Sequence, residues 1–186
     1  ELLVCDYRGR ELRGYLKFDA DRLAGLSMAA TLPELFGEGF LAITFDQQAT
    51  KERYQGIVPM EGASIASAAE HYFQQSEQLP SLIRLAAGRT QADGCVAGGM
   101  LLQHLPEGEV GRERLETRDH RPEWEHVTAI GSTMKDEELL DGSTSLETLA
   151  WRLFHEEEVR VSAGTAVTRG CRCSAEHYKS VLSQFP

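Results

Sequence analysis

The sequence has 186 residues, of which 41% are hydrophobic and 26% charged, as is typical of a soluble globular protein with one domain or two small ones. The formal net charge of −10 argues against nucleic acid or an anionic membrane as the main partner, since phosphate binding needs clustered lysine and arginine. No long apolar run or signal-like start is present, and four cysteines are too few for a disulfide scaffold of this size. We therefore expect a cytoplasmic protein without a membrane span.

The beginning of the chain predicts a β-hairpin. Leu2 to Arg8 and Leu12 to Phe18 both alternate in polarity, and Gly9 lies at the turn between them. Cys5 is expected to be a core residue of the first strand, and Leu23 to Ala30 is expected to be a loop. Because the sequence begins without methionine and already inside a strand-like pattern, we expect it to be a fragment of a longer protein.

A second hairpin is predicted after a one-turn helix. Thr31 can cap this helix, which Gly37 ends. Apolar residues alternate over residues 41–45, and Arg53 to Met60 forms the returning strand. Gly56 inside that strand indicates a bulge or a close backbone approach.

The clearest helix begins after Ser64. Glu70, Gln74 and Gln75 are expected to face water, and His71 beside Glu70 is interpreted as part of this solvated face rather than as a metal ligand or base. One face carries residues at i, i+3, i+4, i+7 and i+8 spacing. Its members are Ile65, Ala68, Ala69, Tyr72, Phe73 and Ser76.

A third hairpin is predicted from Leu82 to Ala87 and from Val96 to Leu105. Gly98 and Gly99 lie inside its second strand. A glycine pair can cradle phosphate, but no helix follows this pair, so close packing against another element is the favoured interpretation. Cys95, next to the turn, is interpreted as structural.

The pattern changes from strand to helix after the third hairpin. Glu107 to His120 is highly charged, Pro122 fits a first helical turn, and Asp136 to Leu140 continues briefly before Gly142. Two apolar stripes are predicted on these helices. They consist of Trp124, Val127, Ile130 and Met134, and of Leu146, Leu149, Ala150, Leu153 and Phe154. Ordering each residue costs roughly 1–2 kcal/mol, and these narrow stripes cannot bury enough surface to offset that cost alone. We therefore expect the helices to pack against the β-rich body or the cysteine-containing tail.

A histidine followed by three glutamates, His155 to Glu158, raises the possibility of a metal site. A zinc-peptidase motif needs two histidines four residues apart on a helix, and here there is one. We interpret the segment as a charged helix end that leads into a strand from Val159 to Val161.

The chemistry of the chain is concentrated at Cys171 and Cys173. Two thiols one residue apart can hold one soft metal ion such as Zn²⁺, which needs two further ligands, or can oxidise together. They can also be two small buried hydrophobic residues. Arg169, Arg172 and a helix capped by Ser174 favour the thiolate form. The apolar residues expected on that helix are Tyr178, Val181, Leu182 and Phe185.

Five segments, in this order and spacing, resemble the 33 kDa chaperonin family, the redox-regulated heat-shock holdases of bacteria. The resemblance covers nearly the whole chain. The segments are ERYQGIVPMEG (Glu52 to Gly62), HYFQQSEQLP (His71 to Pro80), AGGMLLQHLP (Ala97 to Pro106), WRLFHEEEVRV (Trp151 to Val161) and GCRCS (Gly170 to Ser174).

The resemblance implies an α+β fold in three parts. An antiparallel β-rich chaperone domain with packed helices would occupy residues 1–108, with its beginning missing. A helical linker would occupy residues 109–158, and the truncated start of a zinc-binding redox domain residues 159–186.

The resemblance also implies a function. In that family four cysteines, as C-x-C and then C-x-x-C, bind zinc when reduced. Oxidation forms one disulfide in each pair and expels the metal, and the loosened linker exposes a surface that binds unfolding proteins without ATP. Cys171 and Cys173 match the first pair, as zinc ligands and as a redox disulfide. The other two ligands are expected beyond the chain end, so we expect little or no tightly bound zinc in this chain alone.

The resulting hypothesis is a redox-regulated holdase of the oxidative and heat stress response, with no catalysis. Its expected partners are unfolding client proteins and a second copy of itself, especially when oxidised. Two alternatives remain open: a thiol–disulfide oxidoreductase that uses Cys171 and Cys173, and a zinc-stabilised interaction module with constant activity. The sequence has no thioredoxin-like C-x-x-C in a βαβ setting, which argues against the enzyme.

Overall fold

The computed structural model describes residues 1–27, 29–47, 50–90, 94–105, 122–171 and 174–185. The predicted charged segment from Glu107 to His120 and the residue Cys173 lie outside these described residues. The chain forms two compact units. The central unit is Ala29–Val161, and the flanking unit combines Glu1–Met28 with Ser162–Pro186. The predicted limits of the three domains stay a prediction.

Helices and mainly antiparallel strands confirm the predicted α+β class. The strands are β1 (Leu2–Arg8), β2 (Glu11–Lys17), β3 (Phe40–Asp46), β4 (Arg53–Pro59), β5 (Ser81–Thr90), β6 (Gly94–Gln103) and β7 (Thr168–Arg169). The helices are α1 (Ala20–Ala24), α2 (Leu32–Phe36), α3 (Ile65–Ser76), α4 (Pro122–Gly131), α5 (Asp136–Leu140), α6 (Leu146–Phe154) and α7 (Ala175–Leu182). None of these described helices has the length and apolarity needed to cross a bilayer.

The flanking unit is built on a three-stranded sheet in the order β1-β2-β7. The predicted hairpin is confirmed, with β1 antiparallel to β2 and Gly9 at φ +64° in the turn. The short strand β7 then pairs with β2 in parallel. The expected loop from Leu23 is wrong at its start, because Asp19 caps α1 by accepting hydrogen bonds from the backbone of Asp21 and Arg22.

The prediction that Cys5 is a core residue is wrong, because the thiol is exposed. Its strand face is apolar as predicted, but no apolar side chain that the structure describes in the flanking unit is buried. Leu3, Leu12 and Leu16 share this face and are 41%, 48% and 48% exposed. Alternation therefore identified the face correctly without identifying what covers it.

The central unit contains two antiparallel hairpins, β3-β4 and β5-β6, which are associated through α3. Ser64 caps α3 as predicted. Tyr72 on α3 has no exposed surface and lies against Gly56 of β4, where a Cβ atom would come within 2.5 Å of the ring. Gly56 thus marks a close approach, but a side chain packs against it rather than a second backbone, and β4 pairs with β3 without a bulge. Burial, reinforced by Glu77, raises the pKa of Tyr72 to about 12.

The prediction that Glu70 faces water is wrong. Glu70 is half-buried, and its carboxylate accepts a hydrogen bond of 2.6 Å from the backbone N–H of Ile83 in β5. A charged acceptor here satisfies a donor on the edge of β5 that, in the described part of the chain, faces no other strand. Gln74 and Gln75 are exposed as predicted.

Helices α4 and α5 lie against one face of the β5-β6 hairpin. A Cβ atom at Gly98 would collide with the backbone carbonyl of Leu139 in α5, and one at Gly131 would lie 2.6 Å from Leu102. The favoured interpretation of Gly98, close packing, is confirmed. Arg84 of β5 also donates to the carbonyl of Met134, at 3.4 Å.

Helix α6 follows a tight turn at Asp141. Hydrogen bonds from Ser143 and Thr144 lower the pKa of Asp141 to about 2. Leu149 of α6 is buried, as its position in the predicted stripe implied, whereas Leu146 is 75% exposed. The predicted strand from Val159 to Val161 is wrong, since these residues are exposed and belong to no strand among the described residues.

Candidate functional site

The parallel pairing of β7 with β2 fixes the position of Cys171. The backbone N–H of Thr168 donates to the carbonyl of Arg10 at 2.8 Å, and that of Gly170 donates to the carbonyl of Leu12 at 2.9 Å. Cys171 is the next residue, and its thiol is exposed. The last hydrogen bond of the sheet therefore lies one residue before the first cysteine of the motif.

Gly170 is required by the packing at this point. It is buried, and a Cβ atom there would lie 2.5 Å from the Cβ of Glu11 on β2. A larger residue would push β7 away from β2. The glycine thus allows the chain that carries the cysteines to lie directly against the hairpin.

A groove runs beside the thiol. Arg13 on one side forms an ion pair with Asp6 across the β1-β2 hairpin, with Nε and Oδ2 2.7 Å apart. Arg169 lies in β7, so the groove brings two guanidinium-bearing residues to the vicinity of Cys171. Its lining residues are Leu12, Arg13, Gly14, Val167, Thr168, Arg169, Gly170 and Cys171. The two-residue strand β7 has no detectable periodicity, so the sequence did not predict that Arg13 of β2 lines the same groove as Cys171.

The helix predicted after the cysteine pair is confirmed as α7. Ser174 caps it by accepting a hydrogen bond of 3.0 Å from the backbone N–H of His177. The apolar residues predicted along this helix are exposed, including Tyr178 at 54% and Leu182 at 69%. Arg172 and Cys173 lie outside the described residues, so the proximity of the two thiols stays a prediction.

The donor set offered by this segment suits a soft metal ion, because both predicted ligands are thiolates. A closed structural zinc site needs four ligands. The described residues contain no group of three or more histidine, cysteine, aspartate or glutamate side chains that could hold a metal. Two thiolates fit half of such a site, and the described residues do not supply the other half.

The glutamates after His155 do not converge on one point. Glu157 lies 3.1 Å from the Nε2 atom of His126 on α4, and Glu158 pairs with Arg160 at 2.7 Å. The His155 ring lies against Trp151, with centroids 5.4 Å apart. The interpretation of this segment as a charged helix end is therefore supported, since α6 ends at Phe154.

Comparison with known proteins identifies a family. The model of the Hsp33 protein family matches residues 1–186. The 33 kDa chaperonin of Caulobacter vibrioides is 39% identical over 190 residues, covering 98% of this chain and 61% of that protein. That of Shewanella sediminis is 41% identical over 174 residues, covering 93% of this chain and 53% of that protein.

A solved structure has the same fold. The 33 kDa chaperonin (heat shock protein 33 homolog) of Thermotoga maritima matches with a TM-score of 0.65 and 20% identity. The match covers 99% of this chain and 64% of that chain. The present chain thus spans less than two thirds of the length of each of these proteins.

Proposed function

The chain belongs to the Hsp33 family, and from this premise we propose that it is part of an ATP-independent holdase chaperone switched on by oxidation of Cys171 and Cys173. The family match carries the proposal, and the relatives are named as chaperonins. The position of Cys171 supports the redox part, because its exposed thiol is accessible to an oxidant and lines a groove together with Arg13 and Arg169.

The proposed switch is a two-electron oxidation. One thiolate attacks hydrogen peroxide and becomes a sulfenic acid, releasing hydroxide, which takes up a proton to give water. The second thiol then displaces hydroxide from that sulfur to form the disulfide, and its proton makes a second water. Two cysteines lose two electrons in total, and one peroxide is reduced to two waters.

Zinc, when bound by Cys171 and Cys173 with two further ligands, would supply folding free energy to the segment that carries them. Oxidation withdraws both thiolates from that role. Apolar burial would then contribute little to the stability of the flanking unit, because none of its described apolar side chains is buried. Loss of its order would expose further apolar surface to unfolding proteins.

The proposed partners are unfolding client proteins and a second copy of the chain, with oxidation favouring the dimer. The proposed compartment is the cytoplasm, where a reducing thiol pool would restore the cysteine pair after stress. No catalytic step on a client is part of the proposal.

The test uses the protein and a double variant, Cys171→Ser with Cys173→Ser. Aggregation of a thermally unfolding enzyme is followed by light scattering, before and after peroxide treatment. We expect peroxide to make the parent suppress aggregation, and we expect the double variant not to respond. The matched control is Cys5→Ser, which removes another exposed cysteine and should keep the response. An equal response of the Cys171/Cys173 variant and the parent would refute the switch.

A further inference from the structure

The register of the β5-β6 hairpin determines which backbone groups point away from it. The N–H of Ile83 bonds to Glu70 rather than to β6, so Ile83 and its partner Leu101 form a pair without mutual hydrogen bonds. Such pairs alternate along an antiparallel ladder. The N–H and C=O groups of alternate β6 residues therefore point outward. We call these residues the β6 edge; they are Cys95, Ala97, Gly99, Leu101 and Gln103.

The two edges of this hairpin differ in what lies beside them. The β5 edge is next to α3, and Glu70 of α3 accepts a hydrogen bond from the outward backbone N–H of Ile83. The β6 edge pairs with no strand in the part of the chain that the structure describes, because the sheet ends there. Among the same residues, none of its five backbone N–H groups donates to a side chain or a loop.

The β6 edge also lacks the features that usually protect an open edge. β6 has the sequence GCVAGGMLLQ, without charge or proline, and pairs with β5 over ten successive positions without a bulge. By contrast, the outer strand β1 of the flanking unit carries Asp6 and Arg8, and β3 carries Asp46. An uncharged, regular edge of this length is a template for another strand.

The side chains along the β6 edge would not obstruct such a strand. Ala97 and Gly99 are small and exposed, and Leu101 is 50% exposed. Leu85 of β5, which is 53% exposed, lies on the same face. An added strand with apolar residues on this face would extend an apolar strip that is already present.

We propose that the β6 edge binds an extended, weakly charged segment of an unfolding polypeptide by adding it to the sheet as a further strand. The inference rests on the proposed chaperone function and specifies how it meets a client. The outward backbone groups recognise an extended backbone and no particular sequence. That is the recognition a chaperone of varied clients needs, with the apolar strip selecting segments of low charge.

A pair of proline variants tests the edge. Ala97 and Ala87 are directly opposite one another, are both exposed and both have outward N–H groups, on β6 and β5 respectively. Proline at either position removes an outward donor and leaves the β5-β6 ladder bonds in place. We expect Ala97→Pro to weaken binding of an unfolded client about tenfold, the effect of losing one or two hydrogen bonds, and Ala87→Pro to leave it unchanged.

The probe is a ten-residue peptide of alternating valine and threonine with a lysine added at each end, compared with the same peptide N-methylated at alternate residues. Fluorescence anisotropy should show binding of the first and at least tenfold weaker binding of the second. Amide hydrogen exchange should show the N–H groups of Ala97, Gly99 and Leu101 exchanging fast in the free protein and slowly with peptide.

Equal binding by the Ala97→Pro and Ala87→Pro variants, or slow exchange of these amides before peptide is added, would overturn the inference. Exchange is measured on the parent protein, so this readout stands even where a variant fails to fold. A parent that binds the peptide but never suppresses client aggregation would refute the proposed chaperone function and leave the edge intact. A parent that suppresses aggregation without binding the peptide would refute binding at the β6 edge and leave the proposed chaperone function intact.

Discussion

The two units of this chain differ in how they are held together. Every described hydrophobic side chain that is buried belongs to the central unit: Leu32, Val58, Ala68, Tyr72, Ala86, Met134 and Leu149. The flanking unit has an equally regular hairpin with a continuous apolar face, yet its leucines and tyrosines are about half exposed. Hairpins with equally regular backbone hydrogen bonding can therefore bury very different amounts of apolar surface.

The difference has a thermodynamic meaning. Burial of apolar surface is the main favourable term in folding, and hydrogen bonds contribute less on balance because the unfolded chain bonds to water. Among the described residues this term favours the central unit over the flanking unit. The switch proposed above requires such a difference, because a segment with little apolar burial of its own opens at low cost.

The largest expected effect comes from a matched pair of tyrosines. Tyr72→Ala removes a fully buried ring from the central unit and should lower its unfolding free energy by about 3–5 kcal/mol. Tyr15→Ala removes a ring that is 60% exposed in the flanking unit and should cost less than about 0.5 kcal/mol. Urea unfolding followed by circular dichroism measures both, and similar losses would end the distinction between the units.

Alkaline pH provides the next largest effect. The pKa of Tyr72 is raised in the folded state to about 12 from 10.0, so its stabilising contribution is complete below pH 10 and is lost as pH rises toward 12. Integrated over this window the loss is about 3 kcal/mol. Unfolding midpoints in urea should fall steeply between pH 10 and pH 12, and Tyr72→Phe should flatten that fall. A variant as pH-sensitive as the parent would show that another group is responsible.

A smaller effect is expected at the two adjacent glycines of β6. Gly98→Ala places a methyl group against the backbone of α5 and should cost about 1–3 kcal/mol, because a helix backbone cannot move aside locally. Gly99→Ala meets the end of the flexible Leu85 side chain at 2.9 Å and the Arg84 carbonyl oxygen at 3.4 Å, and should stay within about 0.5 kcal/mol. Thermal unfolding of both variants makes the comparison. If Gly99→Ala proves the more damaging, the assignment of the packed face is wrong.

The sequence was most informative about features that are determined within a single helix or hairpin. Alternation located the three hairpins, and helical spacing with the caps at Thr31 and Ser64 located α2 and α3. Glycines inside strands correctly indicated close packing, at Gly56 and Gly98. These features depend on residues near one another in sequence, where local propensity and local sterics decide.

The sequence was least informative where distant segments meet. Glu70 looked like a solvent-facing residue because helical periodicity does not reveal a strand edge 13 residues further along the chain. Cys5 looked like a core residue because alternation identifies an apolar face but not its cover. At the candidate site, spacing identified Cys171 and Ser174, but the sheet that places Cys171 depends on residues 10–12.

The pairing of β7 with β2 also has a consequence for the order of folding. Its hydrogen bonds join residues up to 158 positions apart, whereas the other strand pairs that the structure describes are local hairpins. Contacts between such distant positions form slowly and late. On the ribosome, the first hairpin must wait until Thr168 and Arg169 emerge before its third strand arrives. Among the described sheets, the one that positions the sulfur atom of Cys171 is thus expected to be completed last during synthesis.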